Sequence, residues 1–192
     1  MRLKGSRMEF LDIVDENGQP TGETVSRSKA HADGIRHRTA HVWVVRPGES
    51  GYDVLMQKRS MDKESFPGLY DTSSAGHIPA GSEPLESALR ELNEELGIDA
   101  REDQLHCAGS FRIRYEKEFH GRMFRDNEVT QVYVYREPVD AEKLTLQASE
   151  VDEVRWFGLE EVWRETRTDR HRFCSPTGGL EVLRAYLRQS GK

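Results

Sequence analysis

Gly76–Ile98 reads GHIPAGSEPLESALRELNEELGI, a tight loop, a helix start and one amphipathic helix. The helix is predicted over Glu83–Leu96. Leu85, Leu89, Leu92 and Leu96 repeat at spacings of four, three and four, so they form one stripe of a helix. At about 100° per residue, Glu91, Glu94 and Glu95 share a second sector, roughly 135° round from the leucines. Glu91 and Glu95 are i,i+4 neighbours of like charge, an arrangement that costs roughly 0.2–0.5 kcal/mol in an isolated helix. Glu94 between them adds to the repulsion unless a cation sits there. Oxygen ligands at such close quarters suit Mg²⁺, Mn²⁺ or Ca²⁺. A lone acidic run of this kind is ordinarily a solvated face, so the surrounding positions decide its meaning.

Upstream, Met8–Val14 reads as a strand, Asp15–Gly18 as its turn and Gly22–Val25 as the return, an N-terminal hairpin. Ser26–Ala32 reads as a short helical turn ended by Gly34. His37–Val45 and Tyr52–Arg59 read as strands joined through Pro47–Gly51. Ser60–Tyr70 is a loop, and Asp71–Ala75 a short strand leading to Gly76. Downstream, Gly97 takes the helix-ending position. Ala108–Glu116 and Val129–Tyr135 read as strands separated by a basic-aromatic loop, Phe119–Asn127. Glu153–Gly158 is a last strand, followed by helices from Leu159 and over Gly179–Arg188. Strands and helices alternate, with no repeat and no linker, which predicts one α/β domain over residues 8–192. Residues 1–7 are expected to be a flexible tail and residues 8 to about 35 an added hairpin.

The 192 residues are enough for a real core. A net charge of −6 argues against stable nucleic-acid or anionic-membrane binding. No apolar run approaches the ~18–20 residues of a membrane span, and MRLKGSR leads into no apolar segment of a secretory signal. Cys107 and Cys174 show no CxxC spacing and are expected to be core filler in a reduced, cytoplasmic setting.

Gly76, Arg90-Glu91-Leu92, Glu94-Glu95 and Gly97-Ile98 together resemble the Nudix box, G-x5-E-x7-R-E-U-x-E-E-x-G-U, where U is a bulky aliphatic. All but one of its specified positions match; the first Glu falls on Ser82, with Glu83 next. The resemblance covers roughly Arg36–Trp163. It implies a Nudix-type α/β/α sandwich with a central mixed β-sheet, and Mg²⁺-dependent (or Mn²⁺-dependent) hydrolysis of a nucleoside diphosphate linked to another moiety X. On that basis Glu91, Glu94, Glu95 and Gly76 are the expected metal site. Glu94, Glu95, Arg90 and Glu128 are the expected catalytic residues, with Arg90 orienting Glu94 through an ion pair. Glu128 enters as a further ligand or as general base. Ser82 suits a helix N-cap before Pro84 but carries no charge, so either the site has one carboxylate fewer or Glu83 reaches in. Lys58 and Arg59 at a strand end, and Arg112 and Arg114 on one strand face, are candidate phosphate contacts, although alternation sends one of Lys58 and Arg59 away.

Within this superfamily the chain also resembles the group related to isopentenyl-diphosphate isomerase. The residues are His37 before a Trp-containing strand, Phe66-Pro67-Gly68-Leu69-Tyr70, Asp71–His77 and Asp126-Asn127-Glu128. That resemblance implies a metal site from His37, His77, Asp126 and Glu128, with His31 fitting less well; otherwise His37 and His77 are substrate contacts. The isomerases use a Cys two residues before the His77 position, and here it is Ala75. Proton transfer at carbon needs a titratable group, so hydrolase is the preferred reading. Isomerase and a catalytically weak nucleotide-binding module remain as alternatives. A homodimer is a further expectation.

Overall fold

The computed structural model describes residues 8–169 and 171–190, so the expected tail at residues 1–7 lies outside the described residues. The chain runs β1 (Phe10–Val14), β2 (Pro20–Ser26), α1 (Arg27–Asp33), β3 (His37–Gly48), β4 (Gly51–Arg59), β5 (Tyr70–Asp71), β6 (Ser74–His77), α2 (Pro84–Leu96), β7 (Leu105–Phe119), β8 (Arg122–Tyr135), β9 (Val151–Gly158), α3 (Leu159–Thr168) and α4 (Thr177–Ser190). β1 and β2 form the N-terminal hairpin, and the other seven strands form one mixed sheet.

β3 organises that sheet. It lies parallel to β8, from His37 opposite Glu128 to Val44 opposite Tyr135. Its other pairings are antiparallel: β6 takes Thr39–Val42 and β4 takes Val45–Gly48. Side chains alternate across a strand, and the burial follows. Ala40, Val42 and Val44 join Leu55, Leu92 and Leu96 in one core layer. Trp43 and Val45 join Met56, Val132, Leu180 and Leu183 in the other. α2 therefore covers one face, and α3 and α4 the opposite face. This is the expected α/β/α sandwich with a central mixed sheet.

The leucine stripe of α2 faces the sheet, with Leu92 and Leu96 fully buried. Each such side chain contributes roughly 1.5–3 kcal/mol over its exposed state. Gly97 ends the helix at φ 70, its amide bonded to the Asn93 carbonyl, as the αL cap requires. Glu83, not Ser82, is the N-cap, and it makes no side-chain capping bond. Cys107, expected in the core, is exposed, and its sulfur accepts from Gln131.

The expected loop over Phe119–Asn127 is mostly strand. β8 starts at Arg122, and only His120 and Gly121 turn, both at positive φ (51° and 75°). A two-residue turn with both φ positive matches the twist of the flanking strands and lets the ribbon run to its tip. The basic-aromatic mixture there is a two-residue alternation. β8 consequently overhangs β3 by residues 122–127, and α1 packs against that overhang. Arg125 Nη1 donates to the Ala32 carbonyl and Asn127 Nδ2 to the Gly34 carbonyl. Gly34, at φ 70, ends α1. The N-terminal segment is thus built into the sheet edge, where it lines the site.

Candidate active site

A cleft of about 1620 Å³ opens where β6, the Ser60–Leu69 loop and the β7–β8 ribbon meet. One wall is the acidic face of α2. Gly76 on β6 is close to it: a Cβ at this position would sit 2.2 Å from Glu91 Cδ. Only a residue without a side chain lets the Glu91 carboxylate lie against the strand. Arg90 pairs with Glu91 at 2.7 Å and with Glu94 at 2.9 Å, so it holds both. Glu95 is buried; its Oε2 accepts from Gln57 Nε2 at 3.1 Å and from the Ala75 amide at 3.2 Å. Burial, and then the charge of Glu91, push the Glu95 carboxyl up to about 8. Burial also raises Glu91 against the opposing pull of Arg90.

Glu91 and Glu95 thus resist ionisation, and a divalent cation beside them would favour their charged forms. Glu91 and Glu95 offer oxygen donors beside the Gly76 backbone, the chemistry that suits Mg²⁺ or Mn²⁺, whereas Glu94 is half-exposed and turned to Arg90. Ser82 and Glu83 stay away. Both line a separate groove with Asp12 and Arg38, and the Ser82 carbonyl accepts from Arg38. Glu83 therefore does not replace the missing box carboxylate.

The second wall is lined by His31, His77 and Glu128, with His37 buried behind them. His31 (α1), His37 (β3), His77 (β6) and Glu128 (β8) bring one ligand atom each to within 4.8 Å of one another. The parallel register that sets His37 opposite Glu128, and the antiparallel one that sets Thr39 opposite His77, create the cluster. His37 Nδ1 lies 2.8 Å from the Ile35 carbonyl, the partner of a donated N–H, which leaves Nε2 as a buried lone pair with no hydrogen bond. That tautomer is the one a metal needs. His31 and His77 approach through their Nε2 atoms at 3.4 Å. Burial holds His31 down to about 4 and His77 well below the ordinary histidine value, so both present neutral imidazoles at pH 7. Burial alone would raise Glu128, but the contact with His37, whose Nε2 stands 3.7 Å from Oε1, together with nearby His77 and His41, holds it below the ordinary glutamate value. Its Oε2 accepts from Thr39 Oγ1 at 3.0 Å. Neighbouring Asp126 is driven the other way, up to about 9, by burial and the Glu128 charge. Three imidazoles and a carboxylate form a mixed set that suits a transition ion.

Among the phosphate candidates, Arg59 borders the cleft but is committed, donating to Asp71 Oδ2 at 3.0 Å and to the Ser65 carbonyl at 2.9 Å. Lys58 is not among the lining residues, because alternation turns it away from Arg59. Arg112 and Arg114 line the rim and are exposed, with Arg112 donating to the Glu16 carbonyl. Thr39, His41 and Gln57 escaped the sequence reading. His37, Thr39 and His41 are spaced by two on a strand, which is the signal that could have found them. His41 is buried beside Phe111 with Nδ1 lacking a hydrogen-bond partner.

A family model described as the NUDIX domain matches residues 35–176. Nudix hydrolase 3 of Arabidopsis thaliana is 39% identical over 155 residues, covering 80% of this chain and 20% of that protein. The chain thus spans about one-fifth of that relative's length. An isopentenyl-diphosphate Delta-isomerase of Dinoroseobacter shibae is 31% identical over 165 residues, 86% of this chain and 85% of that protein. Among solved structures, the NUDIX domain of Shewanella oneidensis NrtR, complexed with ADP ribose, superposes with a TM-score of 0.56 at 15% identity, covering 88% of this chain and 100% of that one. The match extends from the site-bearing β3 through the box helix to the start of the last helix, and the chain belongs to the Nudix hydrolase family.

Proposed function

We propose that this chain is a Mg²⁺-dependent hydrolase that cleaves the diphosphate linkage of a nucleoside diphosphate joined to another moiety X. The observation that carries the reading is the α2 wall: Glu91 packed against Gly76, Glu95 bonded to the Ala75 amide, and Arg90 holding Glu91 and Glu94. A bound divalent ion would neutralise diphosphate charge and lower the pKa of a coordinated water. The residues supply the rest. Arg90 orients Glu91 and Glu94, while Gln57 and the Ala75 amide fix one oxygen of Glu95. Glu128, held ionised, acts as a ligand, which leaves Glu94 and Glu95 as the carboxylates that handle the proton of the attacking water. Arg112 and Arg114 at the rim meet the polyanion. The ADP ribose complexed with the Shewanella domain is a nucleoside diphosphate derivative of the proposed class. No helix among the described residues is long and apolar enough to cross a membrane. Both cysteines are free, which fits a cytoplasmic setting.

The test is release of phosphate or monophosphate from a panel of nucleoside diphosphate derivatives with Mg²⁺. Glu95→Gln should lower the rate by about 10²–10⁴-fold, the usual range for losing a proton-transfer group. An unchanged rate in both Glu94→Gln and Glu95→Gln would falsify the assignment.

The isomerase reading draws on the second wall, where His31, His37, His77 and Glu128 could hold a transition ion, and on the Dinoroseobacter relative. Against it, Ala75 supplies no acid at the position where the isomerases carry Cys. Conversion of isopentenyl diphosphate, measured once, separates the two.

A further inference from the structure

Beyond the histidine cluster, the β7–β8 ribbon carries the cleft outward. Its inward cross-strand pairs run Ile113–Glu128, Tyr115–Asp126, Lys117–Phe124 and Phe119–Arg122. The face that holds metal donors thus passes directly into an aromatic one. Phe124 stacks on His31 with ring centroids 4.2 Å apart and 19° between planes. Phe119 lies 5.9 Å from Phe124, and Tyr115 lies 6.2 Å from it.

The opposite side of the mouth sends one ring across. Phe66, from the Ser60–Leu69 loop, meets Phe119 at 4.9 Å and Tyr115 at 5.9 Å, both edge to face. Phe66 stands at φ 49 and precedes Pro67. A bulky residue avoids this conformation, and the residue before proline is further restricted. Arg59 holds the loop through Ser65, and Lys63 pairs with Glu150 at its base. The loop tolerates the strain, and the result is a ring aimed at the ribbon. Lys117 Nζ sits 4.5 Å from the Phe66 centroid and 5.4 Å from that of Phe119, and among the described residues it makes no ion pair. All five residues line the cleft, and none belongs to the two large core layers.

We propose that Phe66, Tyr115, Phe119 and Phe124 form the subsite for the nucleobase of the substrate, with Lys117 supplying a cation–π contact to the bound ring. The inference rests on the diphosphate reading above. In a nucleoside diphosphate derivative the base is the planar ring that is always present, whatever X is. The rings offer π faces and edges to it, and π-stacking tolerates every base. The subsite therefore accepts purines and pyrimidines alike and favours the larger purine surface.

Isothermal titration calorimetry with Mg²⁺ tests this, using inorganic pyrophosphate, ADP and UDP as probes. The expected order is ADP tighter than UDP, and both tighter than pyrophosphate. Phe119→Ala and Phe66→Ala should each weaken ADP by about ten-fold while leaving pyrophosphate within about two-fold, and Phe119→Trp should retain ADP binding. Intact pyrophosphate binding shows that each variant still folds. Pyrophosphate binding without an advantage for ADP, or equal losses of both probes in the variants, overturns the base subsite alone. Failure of wild-type protein to bind pyrophosphate overturns the diphosphate reading, and the base subsite with it.

Discussion

The box wall and the histidine wall face the same cleft but were assembled differently. The first is carried by thirteen consecutive residues of α2 and the single glycine it touches. The second takes one residue from each of four segments, and α1 alone brings His31 across 97 positions of sequence to Glu128. The acids of the helix are brought to one side by its periodicity, and burial followed by mutual charge raises Glu95. His31 and His77 are held in their neutral form by burial, and strand register sets His37, His77 and Glu128 side by side. One wall suits a hard cation and the other a transition ion.

Gly76→Ala attacks the first wall at its narrowest point. The new Cβ would displace the Glu91 carboxylate, and misplacement by about 1 Å at a site of this kind costs about 10²-fold in rate. The steady-state rate measures it, with circular dichroism as the check that the fold survives. If the rate holds, the close packing of strand on carboxylate is incidental.

His37→Ala attacks the second wall. It removes a ligand whose free Nε2 has no other partner, and tightly bound zinc or manganese, measured by plasma mass spectrometry after dialysis, should weaken by at least about ten-fold. Glu91→Gln should leave that stoichiometry unchanged. Equal losses in both variants would mean that the two walls form a single metal site.

The acids also predict how ion-free stability varies with pH. Glu95 is shifted upward, so in the folded state it keeps its proton up to about 8 while the unfolded chain loses it at the ordinary glutamate value. Between those two values the folded state binds more protons, and stability falls as pH rises. The melting temperature of chelated protein should drop by several degrees between pH 5 and 8, and Glu95→Gln should flatten the curve. A curve equally steep in the variant would place the titration elsewhere.

The smallest effect is expected at the rim. Arg112 is exposed and already bonded to the Glu16 carbonyl, so Arg112→Ala should raise KM by less than about three-fold, within the weak range of exposed charges.

Much of the box wall was legible beforehand. A helix maps sequence spacing onto faces by one fixed rotation, so Leu85–Leu96 and Glu91–Glu95 could be sorted without knowing the partner sheet. Gly76 was legible as part of the motif, although its reason, the approach of Glu91, lies in the tertiary packing. The ribbon was read less well, because Phe119–Asn127 carries loop-like composition and only its pairing reveals the alternation. Cys107 was read as buried from residue type alone, and the edge position of β7 left it outside.

By itself, then, the sequence determined the α2 helix, its two faces, the alternating strands of an α/β domain and the family resemblance, because all of these depend on neighbours a few residues apart. Only the tertiary structure decided that His31 belongs with His37, His77 and Glu128, that Glu83 turns away from the cleft, that Arg59 braces a loop, and that Phe66 reaches the ribbon. These depend on which strands pair and in what register. A pairing shift of one residue would send His37, His77 and Glu128 to the opposite face.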